Sequence, residues 1–260
     1  MRKNKLRSLL QADKPTLSTR LQSCWPSIVE VVGHTGLFDY VEFLGEYAPY
    51  TLHDLDNFCR AAELYDMGSL IKIDADPRAY LAQRAIGAGF EGVLFADSRS
   101  AEDARQCVRI ARPETPEDGG LYGAATRRFA FMGYGGNVEY VQALRDVVVV
   151  LMIEKVPAVD HLEEILSVGG IDMIQWGPAD YSMSAGVPGQ RTSPEVKRVE
   201  KRVIETCLRM GIPPRAEIHS PDEASYYLDL GVRHFSLGSD ISILFNWLQG
   251  NGEKLRRMLD

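Results

Sequence analysis

The sequence lacks the features that mark several familiar protein classes. No segment is long and apolar enough to span a membrane, and the basic stretch at residues 1–10 has no apolar core of signal-peptide length. The four cysteines form no C-x-x-C pair, which argues against a zinc cluster and a disulfide framework: Cys24, Cys59, Cys107 and Cys207. We therefore expect a cytoplasmic protein that has no membrane partner.

An excess of basic charge and a dinucleotide motif are also missing. The formal net charge of −7 argues against a nucleic-acid partner, because such a partner requires a basic surface. No G-x-G-x-x-G follows the first predicted strand, so we expect no dinucleotide site. A small anionic substrate is still compatible with the sequence, since a metal ion and a few local cations can outweigh the overall charge.

The chain does contain short apolar segments that alternate with helical patterns. The eight predicted strands are residues 16–21, 40–44, 70–73, 92–95, 147–154, 171–176, 214–218 and 234–238. Over 260 residues this alternation predicts an α/β fold, a single (β/α)₈ TIM barrel domain spanning residues 1–260. We also expect a leading N-terminal helix, extra C-terminal helices at 240–248 and 252–259, and irregular loops at 112–137 and 177–192. An open doubly wound sheet is the alternative.

Two carboxylates follow neighbouring predicted strands. An apolar, β-branched run ends at Glu154, and Asp180 follows the next strand one strand–helix–strand unit later. Because the C-terminal ends of parallel strands meet at one edge, we expect these side chains to converge. Two oxygen ligands with water in the other positions favour a hard dication, Mg²⁺ or Mn²⁺, with Co²⁺ as a further option. The structural alternative is a strand-end ion pair with Lys155 or Lys72.

Three short segments also carry a resemblance to a known family. They are Gly45-Glu46-Tyr47-Ala48-Pro49, Ile153-Glu154 and Gly177-Pro178-Ala179-Asp180-Tyr181-Ser182. These segments resemble the signatures of the HpcH/HpaI family, metal-dependent pyruvate-type aldolases related to the citrate lyase β chain. The likeness extends in order over nearly the whole chain.

The resemblance implies a barrel, a divalent metal on Glu154 and Asp180, and a carbon–carbon lyase that acts on a 2-oxo acid and an aldehyde. A 2-oxo acid chelates a metal through one carboxylate oxygen and its keto oxygen, and the metal then stabilises the enolate left when the neighbouring bond breaks. The resemblance further implies a homo-oligomer, either a dimer, a trimer or a hexamer, in which C-terminal helices at about 240–260 are exchanged between barrels.

The chain departs from the family pattern at positions that bear on catalysis. The third-strand arginine of the family corresponds to Lys72, which keeps the charge but loses the planar bidentate fork. Leu44 and Tyr47 replace the Asp and His that handle the proton in the family, and tyrosine is a poor base unless its pKa is lowered. Glu42 and Asp74, on the same strand faces as Leu44 and Lys72, are candidates for the lost carboxylate.

These considerations predict a set of site residues. We expect Lys72 to polarise the keto group, with Glu46 and Tyr47 as the other catalytic residues. Backbone N–H groups at a helix start are expected to hold the substrate carboxylate. The predicted substrate-binding residues are Gly123, Ala124, Gly177, Ala179, Asp180 and His219.

Three functions agree with this sequence. The first is the metal-dependent aldolase. The second is an aldolase in which the Lys72 amine forms a Schiff base, as a desolvated lysine can do. The third is a non-catalytic barrel that binds a small acid, for which the altered Leu44, Tyr47 and Lys72 argue.

Overall fold

A computed structural model of the chain, which describes residues 2–130 and 135–260, contains a closed barrel of eight parallel strands. The strands are β1 Thr16–Leu21, β2 Tyr40–Leu44, β3 Gly68–Ile73, β4 Gly92–Phe95, β5 Val148–Ile153, β6 Met173–Trp176, β7 Pro214–Ile218 and β8 His234–Ser239. Consecutive strands are hydrogen-bonded neighbours, and β8 pairs with β1. The predicted (β/α)₈ barrel is therefore confirmed, and the open sheet is wrong.

Within the described residues, twelve α-helices and two 3₁₀ helices accompany the strands. The α-helices are α1 Lys5–Gln11, α2 Pro26–His34, α3 Leu52–Leu64, α4 Arg78–Ala88, α5 Ala101–Ala111, α6 Val138–Arg145, α7 Val156–Asp160, α8 Leu162–Leu166, α9 Pro178–Ser184, α10 Pro194–Arg209, α11 Ala224–Asp229 and α12 Asp240–Leu259. The 3₁₀ helices are Arg128–Ala130 and Pro221–Glu223. None of these helices is long and apolar enough to cross a membrane.

Local sequence signals fix several helix ends. The Ser100 side chain accepts a hydrogen bond from the Asp103 N–H and so caps α5, as its Ser-x-x-acid pattern predicts. Helix α4 ends at Gly89, whose φ of 118° is accessible to glycine without a Cβ clash. These two signals set where α5 begins and where α4 ends.

The N-terminal end of the barrel is closed by α1. Leu6 is buried in the apolar cluster inside the barrel, together with residues of β2 to β6. Asn4 donates hydrogen bonds to the backbone carbonyls of Glu91 and Asp146, and Arg7 pairs with Asp172. These contacts fill the bottom of the barrel, so the C-terminal ends of the strands form the mouth.

A buried polar network crosses the interior between β2 and β7. Arg215 on β7 and Glu42 on β2 form an ion pair in which neither side chain is exposed. Arg215 also donates to the side-chain oxygen of Gln175, and Gln175 donates to Glu217, which accepts a further hydrogen bond from Arg20. Because buried charges persist only when they are paired, this network determines which side chains can face one another in the barrel.

Two helices were not predicted from the sequence. One lies in a segment predicted to be an irregular loop, and the other lies in a segment for which no element was predicted. Helix α9 occupies the start of the expected loop 177–192, and proline at its first position is a common helix start. Helix α6 follows the expected loop 112–137 and is capped by the Asn137 side chain, which accepts from the Tyr140 N–H. Residues 131–134 of that loop lie outside the described residues.

The C-terminal segment is one continuous helix rather than two. Gly250 and Gly252 lie inside α12, and each costs roughly 1 kcal/mol relative to alanine in a helix interior. That cost is too small to end the helix. No residue of α12 is buried, so this helix projects from the barrel with its apolar side chains uncovered by the described part of the chain.

Candidate active site

A cavity of about 480 Å³ opens at the mouth of the barrel and extends beside α10. Its lining includes most of the residues that the sequence analysis predicts for the site. These residues are Tyr47, Lys72, Glu154, Gly177, Ala179, Asp180 and His219.

Glu154 and Asp180 reach the cavity from neighbouring strands. Glu154 directly follows β5 and is almost fully buried, while Asp180 lies in the first turn of α9 after β6. One Glu154 oxygen accepts the N–H of Asp97 at 3.0 Å. A side chain on Gly177 would come within 2.6 Å of the other Glu154 oxygen, so glycine leaves that oxygen room on the cavity side.

Lys72, Glu46 and Tyr47 form a second cluster across the mouth. The Lys72 ammonium lies 2.7 Å from a Glu46 carboxylate oxygen and donates to the Tyr47 hydroxyl at 2.5 Å. Burial opposes the charged form of Lys72, but the negative charge of Glu154 and the hydrogen bond to Glu46 outweigh it and raise the pKa of Lys72. Desolvation raises the pKa of Tyr47 to about 12. Lys72 is therefore a cation and Tyr47 a neutral phenol at neutral pH.

Lys155, which follows β5, forms ion pairs with a carboxylate that follows β4 and with one that follows β6. Its ammonium donates to Asp180 Oδ1 at 2.7 Å and lies 2.9 Å from Asp97 Oδ1, after β4. The ion pair between Asp180 and Lys155 is the structural alternative that the sequence left open, and it is present in the structure. Glu154 and Asp180 nevertheless line the same cavity.

In the two clusters around Glu154, carboxylates outnumber ammonium groups. Four carboxylates face the two ammonium groups of Lys72 and Lys155, which leaves a formal charge of −2: Glu46, Asp97, Glu154 and Asp180. Burial raises the pKa of Glu154 to about 7, although Lys72 opposes that shift. A cation beside Glu154 would favour its ionised form.

The donor set fits a hard dication of the Mg²⁺ or Mn²⁺ type. Glu154 and Asp180 supply carboxylate oxygens, and the space beside Gly177 keeps a Glu154 oxygen accessible. Within residues 2–130 and 135–260, no group of three or more His, Cys, Asp or Glu side chains is arranged to hold a metal. The remaining ligands would therefore be water and substrate, as is usual for Mg²⁺.

Some predicted residues lie elsewhere. Glu46, Gly123 and Ala124 are not among the residues that line the cavity. Glu46 lies beside the cavity against Lys72, whereas the Gly123 carbonyl accepts from the Tyr140 hydroxyl outside the barrel. Glu42 is held by Arg215 and is not free to replace the missing carboxylate. His219 lines the cavity but is exposed.

Sequence reasoning missed two other groups near the mouth. Asp97 holds Glu154 through its backbone N–H, and its φ of 57° lies in the left-handed region that aspartate tolerates better than most residues. Arg20 and Glu217 line the cavity as an ion pair. The alternation of Arg215 and Glu217 along β7 is the visible signal, because it marks a strand face that is polar.

Known proteins resemble this chain over nearly its whole length. It is 27% identical over 241 residues to a 2-dehydro-3,6-dideoxy-6-sulfogluconate aldolase of Pseudomonas putida, covering 92% of this chain and 91% of that protein. It is 29% identical over 238 residues to a 2-keto-3-deoxy-L-rhamnonate aldolase of Escherichia coli K12, covering 91% and 87%.

Solved structures give the same result. A crystal structure of an HpcH/HpaI aldolase/citrate lyase family protein from Burkholderia cenocepacia superimposes with a TM-score of 0.87 at 27% identity, covering 98% of this chain and 100% of that one. The model of the HpcH/HpaI aldolase/citrate lyase family matches residues 21–246, a span that includes β2 to β8 and both clusters of the mouth. The chain belongs to the HpcH/HpaI aldolase/citrate lyase family.

Proposed function

We propose that the protein is a carbon–carbon lyase, a divalent-metal-dependent aldolase that acts on a pyruvate-type 2-oxo acid. The observation that carries this proposal is the convergence of Glu154 and Asp180, from neighbouring strand ends, on the cavity that Lys72 also lines. Both relatives named above are aldolases of 2-oxo sugar acids, which supports the same reaction class here.

Glu154 and Asp180 are the residues that would hold the metal, Mg²⁺ or Mn²⁺. When bound there, a dication supplies Lewis-acid stabilisation of negative charge on the substrate. We expect the backbone N–H groups of Ala179 and Asp180, which lie in the first turn of α9 and line the cavity, to position the substrate carboxylate.

Lys72 stabilises the oxygen that gains charge. When the bond between C3 and the hydroxyl-bearing C4 breaks, its electron pair moves towards the keto oxygen, and C4 leaves as an aldehyde. A fixed ammonium group near that oxygen stabilises the developing charge. The Schiff-base alternative needs a neutral amine, whereas the pKa of Lys72 is raised by Glu154 and Glu46, so we favour the electrostatic role.

Glu46 is the group that we propose moves the proton. Cleavage requires a base for the C4 hydroxyl proton, and the products are completed when C3 gains a proton. Leu44 cannot titrate, and a Tyr47 phenol with a pKa of about 12 is a weak base. Glu46 is a carboxylate beside Lys72 and partly exposed, so it can take the hydroxyl proton and return one to C3.

Exchange of the pyruvate methyl protons in D₂O, followed by NMR with Mg²⁺, tests the proposal without knowledge of the aldehyde. We expect exchange that is lost after treatment with EDTA and dialysis and is restored by Mg²⁺. Full exchange after metal removal would exclude the metal role. A metal-dependent thermal shift with pyruvate, but neither exchange nor turnover with any aldehyde, would favour the small-acid-binding barrel, which the altered Leu44 and Tyr47 make the second candidate.

We also propose that the protein is a homo-oligomer in which another copy covers α12. The exposed apolar side chains of this helix support the proposal: Ile243, Leu244, Phe245, Trp247 and Leu248 are each more than half exposed. Replacing both Phe245 and Trp247 with Glu is expected to lower the mass measured by light scattering. Val138→Glu, at an exposed apolar residue of α6, is the control. An unchanged mass for the double variant would contradict this proposal.

A further inference from the structure

Asp97, Lys155 and Asp180 follow the neighbouring strands β4, β5 and β6, and their side chains form one group of ion pairs. Lys155 directly follows Glu154, and its side chain is only 17% exposed. It donates to Asp180 Oδ1 at 2.7 Å and pairs with Asp97 at 2.9 Å. Asp97 in turn donates its backbone N–H to Glu154. The Lys155 ammonium therefore lies between Asp97 and Asp180, and Asp180 and Glu154 are the carboxylates of this group that line the cavity.

The Asp180 carboxylate would have to contact both the metal and the Lys155 ammonium group. Asp180 is a proposed metal ligand, yet its Oδ1 is already hydrogen-bonded to Lys155. A dication shared by Glu154 and Asp180 would lie close to a second positive charge in a partly buried site. The side chains of Lys155 and Asp180 are 17% and 43% exposed, so water screens this repulsion only in part.

We propose that Lys155 is an internal cation that competes with the divalent metal for Asp180 and so sets a weak, readily reversible metal affinity. The inference rests on the proposed metal site at Glu154 and Asp180. Metal entry either displaces the Lys155 ammonium from Asp180 or retains it at a cost in repulsion. In both cases, removing the charge strengthens metal binding.

The same arrangement has a consequence for the metal-free protein. Without Lys155, the carboxylates of Asp97, Glu154 and Asp180 would face one another with no ammonium between Asp97 and Asp180. Like charges held together destabilise the fold. The metal-free protein should therefore lose stability when Lys155 is neutralised, and added metal should restore more of it than in the wild type.

The test measures Mn²⁺ dissociation constants by calorimetry and the melting temperature with and without Mn²⁺, both on the full chain. Lys155→Met removes the charge, and Lys155→Gln removes it while keeping a hydrogen-bond donor for Asp180. Lys201→Met is the matched control, because it removes an exposed lysine whose ion pair with Glu205 on α10 spans 3.7 Å. We expect both Lys155 variants to bind Mn²⁺ at least about tenfold more tightly and Lys201→Met to bind as the wild type does.

A metal-free melting temperature below that of the wild type, with a larger rise on adding Mn²⁺, is the second expected result. Unchanged or weaker Mn²⁺ binding by folded Lys155→Met and Lys155→Gln, while the wild type binds, would overturn the competition and leave the proposed metal site intact. Binding by none of the proteins would overturn both. If Lys155→Met does not fold without metal, Lys155→Gln alone decides between these results.

Discussion

The ammonium group of Lys72 donates a hydrogen bond to the hydroxyl of Tyr47 over 2.5 Å. The contact arises from the barrel register, in which Leu44 at the end of β2 pairs with Lys72 on β3. The turn after β2 then brings Glu46 back to the same ammonium at 2.7 Å. A cation, a carboxylate and a phenol thus form one unit, and the charge of Glu154 acts on the Lys72 ammonium in this unit.

Lys72→Met should lower kcat/KM for aldol cleavage by roughly 100- to 1000-fold, the usual effect of losing one group that stabilises a developing oxyanion. The methionine keeps most of the volume but not the charge. Lys72→Arg should recover only part of the activity, since its planar fork does not fit contacts made to a point charge. Lys201→Met serves as the control. Activity of Lys72→Met within a fewfold of the wild type would show that the charge is not used.

Glu46→Gln should slow pyruvate methyl exchange by about 100-fold or more, because the carboxylate that moves the proton is lost. Tyr47→Phe should retain most of the exchange rate, since its phenol stays neutral at a pKa of about 12. NMR in D₂O measures both. A slower exchange rate in Tyr47→Phe than in Glu46→Gln would assign proton transfer to the phenol.

The sequence predicted the parts of the molecule that depend on local pattern. The apolar run before Glu154, the cap at Ser100 and the glycine at 89 each depend on neighbours within a few residues, and the structure confirms the elements they mark. The convergence of Glu154 and Asp180 on one cavity also follows from local pattern, because parallel neighbours end at the same edge.

The rest depends on contacts between distant segments. The pairing of Glu42 with Arg215 joins β2 to β7 across the barrel interior and cannot be inferred from either strand alone. The sequence places Lys155 directly after Glu154. Its position between Asp97 and Asp180 cannot be predicted in the same way, because it depends on how the ends of β4, β5 and β6 are arranged in space. Helix α9 was missed although Pro178 and Asp180 are typical of a first helical turn.

Arg215→Met should lower the free energy of unfolding by roughly 3–5 kcal/mol, because it leaves the Glu42 carboxylate buried without its partner. The double variant Arg215→Met with Glu42→Leu should recover much of that loss, since neither charge is then buried. Urea unfolding followed by circular dichroism measures both. Arg209→Met, which breaks an exposed pair with Glu163, should cost less than about 1 kcal/mol. A double variant no more stable than Arg215→Met would contradict this account of the network.

His234 should make the protein sensitive to acid. Burial lowers the pKa of His234 from 6.5 to about 4, so the unfolded chain binds a proton that the folded chain does not. Stability from this residue is present above pH 6.5 and is lost as the pH falls towards 4, on the order of 3 kcal/mol in total.

The raised pKa of Glu154 acts in the opposite direction, so the informative quantity is a difference between two proteins. His234→Asn places an amide near the Thr16 hydroxyl that now contacts His234 Nδ1 at 2.9 Å. The stability of the wild type relative to His234→Asn should fall between pH 7 and pH 4. A difference that does not change with pH would show that His234 titrates normally in the folded protein.

The most direct test of the metal site is the anomalous difference density of a crystal soaked with Mn²⁺ and pyruvate. We predict one strong peak bonded to oxygens of both Glu154 and Asp180 at about 2.0–2.3 Å, with the remaining ligands from pyruvate and water. A map with no peak between these two carboxylates at saturating Mn²⁺, or with the ion bound elsewhere in the cavity, would contradict the account.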